Sequence, residues 1–600
     1  MNATPIPRPP AALLKRLFAG LAVAAVMLGG LEVALRSLPL DRWEQGLPGT
    51  SYPLFVRGEG AAADRYVTNP HFLGAMSRQE FPVAKRVGVR RIFVLGGSAA
   101  LGWPGPEDAS FAALLRRSLD QAVPGRYEVI NAAAMSYGSH RVLDLLEDIV
   151  RLEPDLVVVW SGNNEYIEAN SFSPLARTRA VGGLQRLLRD SSLYRTVRLG
   201  LYNVAPQLFF RPAGDDFTDL RRTPQVRRGR LGRAGAVDRD VLANYRDNLA
   251  QMARLLGEHR VDGIFCTVPV NLSSWAPANV APSLADTAAA DRWTALRQES
   301  FTFWDQQRYA EAMPLLEKLL AMAPDYALGH YLVGLGHQKA GRLREARDAF
   351  TRARDLDPRP LRALSTFAVA VRDIAAAHGM QLVDLERLFI EASGAGLSGE
   401  ELFIDYVHPT VAGNKLAATA LLEKILNGAE ESQRQTALRL VKEDNWVERN
   451  FHWAADYDYA RGMTYQNNGD FKRAEAAYLR VLQADPAMPE AAGNLGRIYE
   501  MSGDLHAARH YYEQAVRIDP GTVVGADLAR VLYLLNDLPA ARQVATGLLN
   551  AGLTNVDLLV LLGDIEGAAG RGEMARDYYR QAVAAGADEA QLAGRLRGRP

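Results

Sequence analysis

Between residues 91 and 160, short apolar runs alternate with stretches whose apolar residues recur at helical spacing. Arg91-Ile92-Phe93-Val94-Leu95 ends in Gly96-Gly97, as suits a buried parallel strand. Phe111 to Leu119 has helical spacing, Tyr127 to Asn131 reads as a second strand, and Arg141 to Arg151 as a helix. Asp155 to Trp160 is predicted as a third strand, Gly263 to Val268 as a fourth and Gln381 to Asp384 as a short fifth, with a closing helix over Val411 to Leu426. Strands alternating with helices predict an α/β fold, a doubly wound parallel sheet with helices on both faces.

Two insertions interrupt that alternation. Residues 171–240 are Arg-rich, with apolar positions at Leu184, Leu187, Leu188, Leu193, Tyr194, Val197, Leu199, Leu201, Phe209 and Phe210. Such a basic amphipathic segment can lie on an anionic membrane. It can equally be a lid packed on the sheet with its arginines in solvent. The second insertion is a repeat. Gly334, Gly341, Ala346, Phe350, Ala353 and Pro358 fit a helix–turn–helix unit of about 34 residues. One period earlier Ala312, Leu316 and Pro324 fit it, with Ser300 where Gly is usual. Beyond residue 430 the pattern returns at Gly462, Tyr465, Gly469, Ala474, Tyr478 and Pro486, and again at Gly496, Tyr499, Gly503, Ala508, Tyr512 and Pro520. A degenerate unit over 523–553 and a last one at Gly563, Gly570, Ala575, Tyr579 and Ala582 follow. These units resemble tetratricopeptide repeats (TPR). Stacked repeats bury faces that single units cannot. Either a concave surface for a protein partner or a structural spacer follows from that.

The N-terminus adds a targeting signal. Arg8, Lys15 and Arg16 precede an apolar stretch from Leu17 to Leu35 broken only by Glu32. A spanning helix needs about 20 apolar residues. Leading basic residues place the N-terminus in the cytoplasm and the bulk of the chain across the inner membrane, in a periplasm. No small-x-small site follows the apolar core, which favours a single-pass transmembrane helix over a cleaved signal peptide. The expected organisation is a tail and anchor at 1–36, a juxtamembrane connector at 37–90 and an α/β domain at 91–292 and 361–427. A repeat pair is inserted at 293–360, and C-terminal repeats occupy 450–590.

Composition removes some alternatives. Lys plus Arg and Asp plus Glu both number 69 among 600 residues, so no net charge points to nucleic acid. Arg outnumbers Lys and Ala is abundant, as a GC-rich bacterial genome would give. The single cysteine, Cys266, rules out an intrachain disulfide and a multi-Cys metal site, and its place in the run Ile264 to Val268 suits a buried strand thiol.

Four segments carry candidate chemistry. Ser98 follows a strand and two glycines, where a helix N-terminus favours developing negative charge. Gly-Gly-Ser is also a common N-cap turn, and the chain lacks G-x-S-x-G. Asn131 to Gly138 follows the second strand and can present the Gly138 N–H to an oxyanion, with His140 beside it as a rival base. Gly162-Asn163-Asn164-Glu165 follows the third strand. Asn164 can donate a side-chain amide, or simply make an Asx turn. Asp405 and His408 lie on what would be the fifth βα loop, where the carboxylate can orient the imidazole toward Ser98. Loops at the carboxyl ends of parallel strands share one edge, so the four segments can meet.

In order and spacing these segments resemble the SGNH/GDSL hydrolase superfamily, whose four blocks contribute Ser, Gly, Asn and His. Ser98, Gly138, Asn164 and His408 match them in turn, and Asp405 matches the carboxylate beside the histidine. The resemblance covers about 90–170, 260–280 and 375–427, and the whole layout is similar to bacterial membrane-anchored proteins of this type carrying TPR repeats. It implies a flavodoxin-like fold and a serine esterase. Ser98, Asp405 and His408 would be catalytic, the Ser98 amide, Gly138 and Asn164 would form the oxyanion hole, and no metal or cofactor would be needed. Gly97 stands where many members carry Asp, and Glu165 where Asp is usual. The expected substrate is an acyl ester of the cell envelope, acetate on a polysaccharide being one candidate. The expected partners are a protein on the repeats and the membrane at the N-terminus, with no nucleic acid. The alternatives are an O-acyltransferase using the same residues and a non-catalytic TPR scaffold.

Overall fold

The structure, a computed structural model, describes residues 23, 26–38, 53–171, 188, 191–205, 235–282, 284–450, 454–520, 524–552 and 555–596. Its first sheet was not expected. β1 (Phe55–Arg57), β2 (Arg65–Thr68) and β3 (Glu80–Pro82) form a three-stranded antiparallel sheet within the stretch read as a connector. Its apolar residues explain why it folds: Phe55, Phe72, Met76 and Phe81 are buried in the main core, and the Phe81 ring meets Phe55 and Phe93 edge-on.

The main sheet is fully parallel. β4 (Arg90–Gly96), β5 (Tyr127–Asn131), β6 (Leu156–Trp160), β7 (Asp262–Cys266) and β8 (Gln381–Val383) lie in the order β5-β4-β6-β7-β8. This is a flavodoxin-like order, and its direction reverses between β4 and β6. All five predicted strands are present, within a residue or two of their expected ends. β4 and β6 are buried on both faces, which is why they read as unbroken apolar runs rather than alternating ones. Ile92–Leu95 and Val157–Val159 pack against helices Phe111–Ala122, Ser139–Ile149, Gly235–Glu258, Ser365–Ala377 and Val411–Ile425. Helix Glu431–Glu443 also joins this core through Ala437 and Val441, so the α/β unit runs past residue 427.

The inserted repeats leave the sheet after β7 and return before β8, as helices Thr287–Asp305, Tyr309–Met322, Ala327–Lys339 and Leu343–Asp355. They therefore emerge at the carboxyl edge of the strands. The C-terminal array begins with Ala454–Asn467 and Phe471–Ala484 and ends with Gly572–Ala584 and Glu589–Leu596. Its glycines are contact positions. A Cβ on Gly462, Gly496 or Gly334 would stand 2.6, 2.5 or 2.7 Å from the ring of Tyr478, Tyr512 or Phe350, so the paired helix must carry no side chain there. Ser300, which replaces the usual Gly, is fully buried and turns its hydroxyl back to Arg297 O.

Among the described residues no helix is long and apolar enough to cross a membrane. Of the expected anchor Leu17–Leu35, residues 17–22, 24 and 25 lie outside the described residues, and 26–35 are helical. Glu32 accepts from Ser191 Oγ (2.8 Å) and from the Ser192 and Leu193 amides (2.9 Å each). It thereby caps helix Ser192–Val204, which lies in the Arg-rich insertion. Leu184, Leu187, Phe209 and Phe210 lie outside the described residues.

Candidate functional site

β4 ends at Gly96, and Ser98 opens the short helix Ser98–Leu101 with Gly97 as its N-cap. Ser98 thus sits at the reversal point of the sheet, where open α/β folds leave a crevice. Its amide is in the first turn and has no carbonyl partner within the helix. Asn131, at the end of β5, holds that helix by donating to Ala100 O (3.2 Å) and Leu101 O (3.3 Å).

The Asp405–His408 turn lies between β8 and helix Val411–Ile425. Asp405 Oδ1 accepts from the Val407 and His408 amides (2.9 Å each), and its Oδ2 stands 2.7 Å from His408 Nδ1. His408 Nε2 lies 2.7 Å from Ser98 Oγ, across 310 positions of sequence. A carboxylate only accepts, so Nδ1 carries the proton and Nε2 is left to accept from the serine hydroxyl. The three residues are 8%, 4% and 1% exposed in the order Ser98, His408, Asp405, so the chain of bonds is shielded from water while the hydroxyl keeps an opening. The Trp103 ring, half-buried, packs 4.5 Å from the His408 ring and limits its rotation.

The oxyanion candidates divide. Asn164 lines the pocket beside Ser98, and its Nδ2 donates one hydrogen to Tyr137 O at 2.9 Å, which leaves the second available. A Cβ on Gly97 would sit 2.5 Å from that Nδ2, so a side chain at 97 would push Asn164 away. Tyr137 also lines the pocket. Gly138 follows as the N-cap of helix Ser139–Ile149 and borders the pocket without lining it. His140, the rival base, lies on that helix with its Nε2 4.0 Å from Asp144.

Behind the oxyanion side is a buried acidic pair. Glu165 accepts from the Ser139 amide (2.8 Å), and its second oxygen is 2.6 Å from Ser139 Oγ, while Glu168 pairs with Arg141. Burial, then the neighbouring Glu168, pushes the Glu165 carboxyl up to about 8. A Cβ on Gly138 would stand 2.6 Å from Glu168 Oε2, so only glycine fits over the pair. Glu165 therefore fastens the Gly138 loop to the helix that follows Asn164. Cys266 is fully buried and its thiol is pushed up by desolvation, as a structural thiol should be.

The pocket beside Ser98 is walled by Gly97, Tyr137, Trp160, Gly162, Asn164 and Val268. Gly162 has φ +149°, and a Cβ there would meet Tyr245 Oη and Val268 at 2.9 Å. Among the described residues no cluster of His, Cys, Asp and Glu is arranged to hold a metal ion. Several contributors escaped the sequence reading. Gln79 Oε1 accepts the Asn131 amide at 3.0 Å, and Asn271 Nδ2 donates to Asp405 O at 2.8 Å. Neither lies in a recognisable motif, and no short-range spacing could have found them.

Comparison with known proteins identifies repeats. Residues 302–359 and 459–522 match the tetratricopeptide repeat family. No curated protein sequence matches. Solved structures similar to this chain include an acetyl xylan esterase, 10% identical, covering 56% of this chain and 99% of that one with a TM-score of 0.27. A lipase/acylhydrolase from Enterococcus faecalis is 14% identical, covering 57% and 97% with a TM-score of 0.26. A tetratricopeptide repeat protein from Parabacteroides merdae is 13% identical, covering 51% and 98% with a TM-score of 0.21. The repeats resemble tetratricopeptide repeats by that family match.

Proposed function

We propose that the protein is a serine esterase that cleaves short acyl esters, with Ser98, His408 and Asp405 as its catalytic residues. The observation that carries this reading is the unbroken series Ser98 Oγ, His408 Nε2, His408 Nδ1, Asp405 Oδ2, with both links at 2.7 Å. Ser98 Oγ attacks the ester carbonyl as its proton passes to His408 Nε2. Asp405 stabilises the imidazolium that forms and holds its tautomer. The carbonyl oxygen gains negative charge and is met by the Ser98 amide and the free Asn164 Nδ2 hydrogen, with the Gly138 amide as third donor. His408 then returns its proton to the leaving alcohol. Water, activated by the same nitrogen, releases the acid and restores Ser98.

The pocket's walls support a small acyl group. Gly97 and Gly162 keep the pocket open next to the serine, and Trp160 closes it behind. Acetate is the acyl group we infer, and an acetylated envelope polysaccharide the substrate class. The basic residues ahead of the apolar N-terminal segment support an inner-membrane anchor with the bulk of the chain outside the cytoplasm. The repeats support a protein partner.

The test is hydrolysis of a short-chain aryl ester by purified protein, beside Ser98→Ala. Loss of hydrolysis in the variant supports the reading, and equal rates in the two contradict it. Release of free acetate, against its transfer to an added alcohol, separates esterase from O-acyltransferase.

A further inference from the structure

The Asp405–His408 turn does not hold itself. Ile404 donates its amide to His408 O at 2.8 Å, which closes the turn on the inside. The carbonyls of the next residues point outward and are taken by groups distant in sequence. Ile404 O accepts from Thr464 Oγ1 at 3.0 Å, Asp405 O accepts from Asn271 Nδ2 at 2.8 Å, and Tyr406 O accepts from the Asn271 amide at 3.0 Å. Thr464 is 2% exposed and belongs to helix Ala454–Asn467, the first of the C-terminal repeats.

The loop that follows Asn271, residues 272–276, is in turn held by both repeat blocks. The Asn271 carbonyl accepts from Arg362 Nη1 at 2.8 Å, just past the inserted repeats, and Arg362 also reaches Trp275 O at 3.0 Å. Tyr331, in the inserted pair, donates to Ser273 O at 2.9 Å. From the other side Asn468 takes the Ala276 amide (2.8 Å) and donates to Ser274 O (2.5 Å), and Asn467 donates to Ala276 O at 3.0 Å. Two repeat blocks, separated by the last strand and closing helices of the sheet, therefore converge on one loop. Asn271, at the start of that loop, donates through its Nδ2 to the carbonyl of Asp405, whose carboxylate meets His408.

We propose that the first C-terminal repeat is a working part of the esterase site. Thr464, Asn467 and Asn468, acting with Asn271, are positioning residues that hold the Asp405–His408 turn in register with Ser98. The chemistry explains why side chains from elsewhere are needed. A tight turn that spends its amides on one carboxylate leaves its carbonyls unpaired, and buried carbonyls need donors. An aspartate displaced by about 1 Å would misalign His408, and such misplacement costs up to roughly 10²-fold in rate. The repeats thereby do more than recruit: what binds or bends their first unit acts on the base. The catalytic half of this proposal rests on the serine-esterase reading, and the positional half does not.

The test pairs hydrogen exchange of the 401–410 peptide with steady-state hydrolysis of an aryl acetate, both on the full chain. Thr464→Val keeps the shape and removes the donor. Exchange across the turn should rise about fivefold or more, and kcat should fall about tenfold with KM within about twofold. Thr464→Ser should restore both. Asn468→Ala, at a partly exposed position, should act in the same direction should Thr464→Val fail to fold. Asn555→Ala, which removes a helix cap in a distant repeat, should leave both readouts at the wild-type level. Unchanged exchange in Thr464→Val and Asn468→Ala overturns the proposal. Raised exchange with unchanged kcat overturns the catalytic role. A wild-type protein without Ser98-dependent hydrolysis defeats the esterase reading, and the exchange arm then still decides the positioning.

Discussion

The two halves of the site are built differently. The half around the proposed nucleophile is local: Ser98, Tyr137 and Asn164 follow β4, β5 and β6, Asn131 ends β5, and their supports, Gln79 and Glu165, come from the same core. The base half is remote. Asp405 and His408 are fixed by Asn271, by Arg362 through it, and by Thr464 from an appended array. A parallel sheet can thus keep the proposed nucleophile within its own core. It can also give control of the base to insertions that other proteins of the same fold need not share.

The largest effect should come from cutting the link between the halves. Ser98→Ala or His408→Ala should lower kcat on the order of 10⁴–10⁶-fold, and the double variant no further, because the two act as one unit. Additive losses in a steady-state double-mutant cycle would mean that the halves work separately. Next comes the oxyanion side of the nucleophile half. Asn164→Ala should cost about 10²–10³ in kcat with little change in KM. Gly97→Ala should act in the same direction by displacing the Asn164 amide, and a crystal structure of that variant would show whether the side chain has moved.

A smaller, pH-dependent effect sharpens the contrast. Glu165 is raised from an ordinary 4.5 to about 8, so the folded state holds a proton that the unfolded state gives up. The stability this contributes is fully present below about pH 4.5 and is lost as pH rises through about 8. Thermal melts from pH 5 to 9 should show a falling Tm that Glu165→Gln flattens, while melting of the isolated repeat transition should not respond. The least effect on the site should come from the far end of the array. Gly563→Ala drives a Cβ into the Tyr579 ring and should destabilise the terminal repeats by about 1–3 kcal/mol, with hydrolysis unchanged. A fall in kcat there would mean that the array transmits strain along its whole length.

These differences also explain what was legible beforehand. β4 and β6 were readable because strands buried on both faces leave continuous apolar runs, and the repeats because Gly496 and Tyr512 must sit where helices touch. Ser98 and Asn164 were readable because they follow strand ends, where chemistry and punctuation coincide, and Asp405 and His408 because they precede the closing helix. The sheet at 55–82 was not, because its three short strands alternate too briefly to show a period, and β2 is only half-buried. Asn271 and Thr464 were invisible for a different reason. Their roles are defined by backbone carbonyls more than 50 positions away, and no local pattern encodes a donor to a distant carbonyl.

The central claim is that Ser98 is the nucleophile served by His408. Mass spectrometry of the full chain, quenched during turnover of an aryl acetate and then peptide-mapped, addresses it directly. An acetyl adduct of 1:1 stoichiometry on the peptide containing Ser98, lost in both Ser98→Ala and His408→Ala, is the expected result. Turnover with no adduct on that peptide, or an adduct that persists in His408→Ala at the wild-type rate, would contradict it.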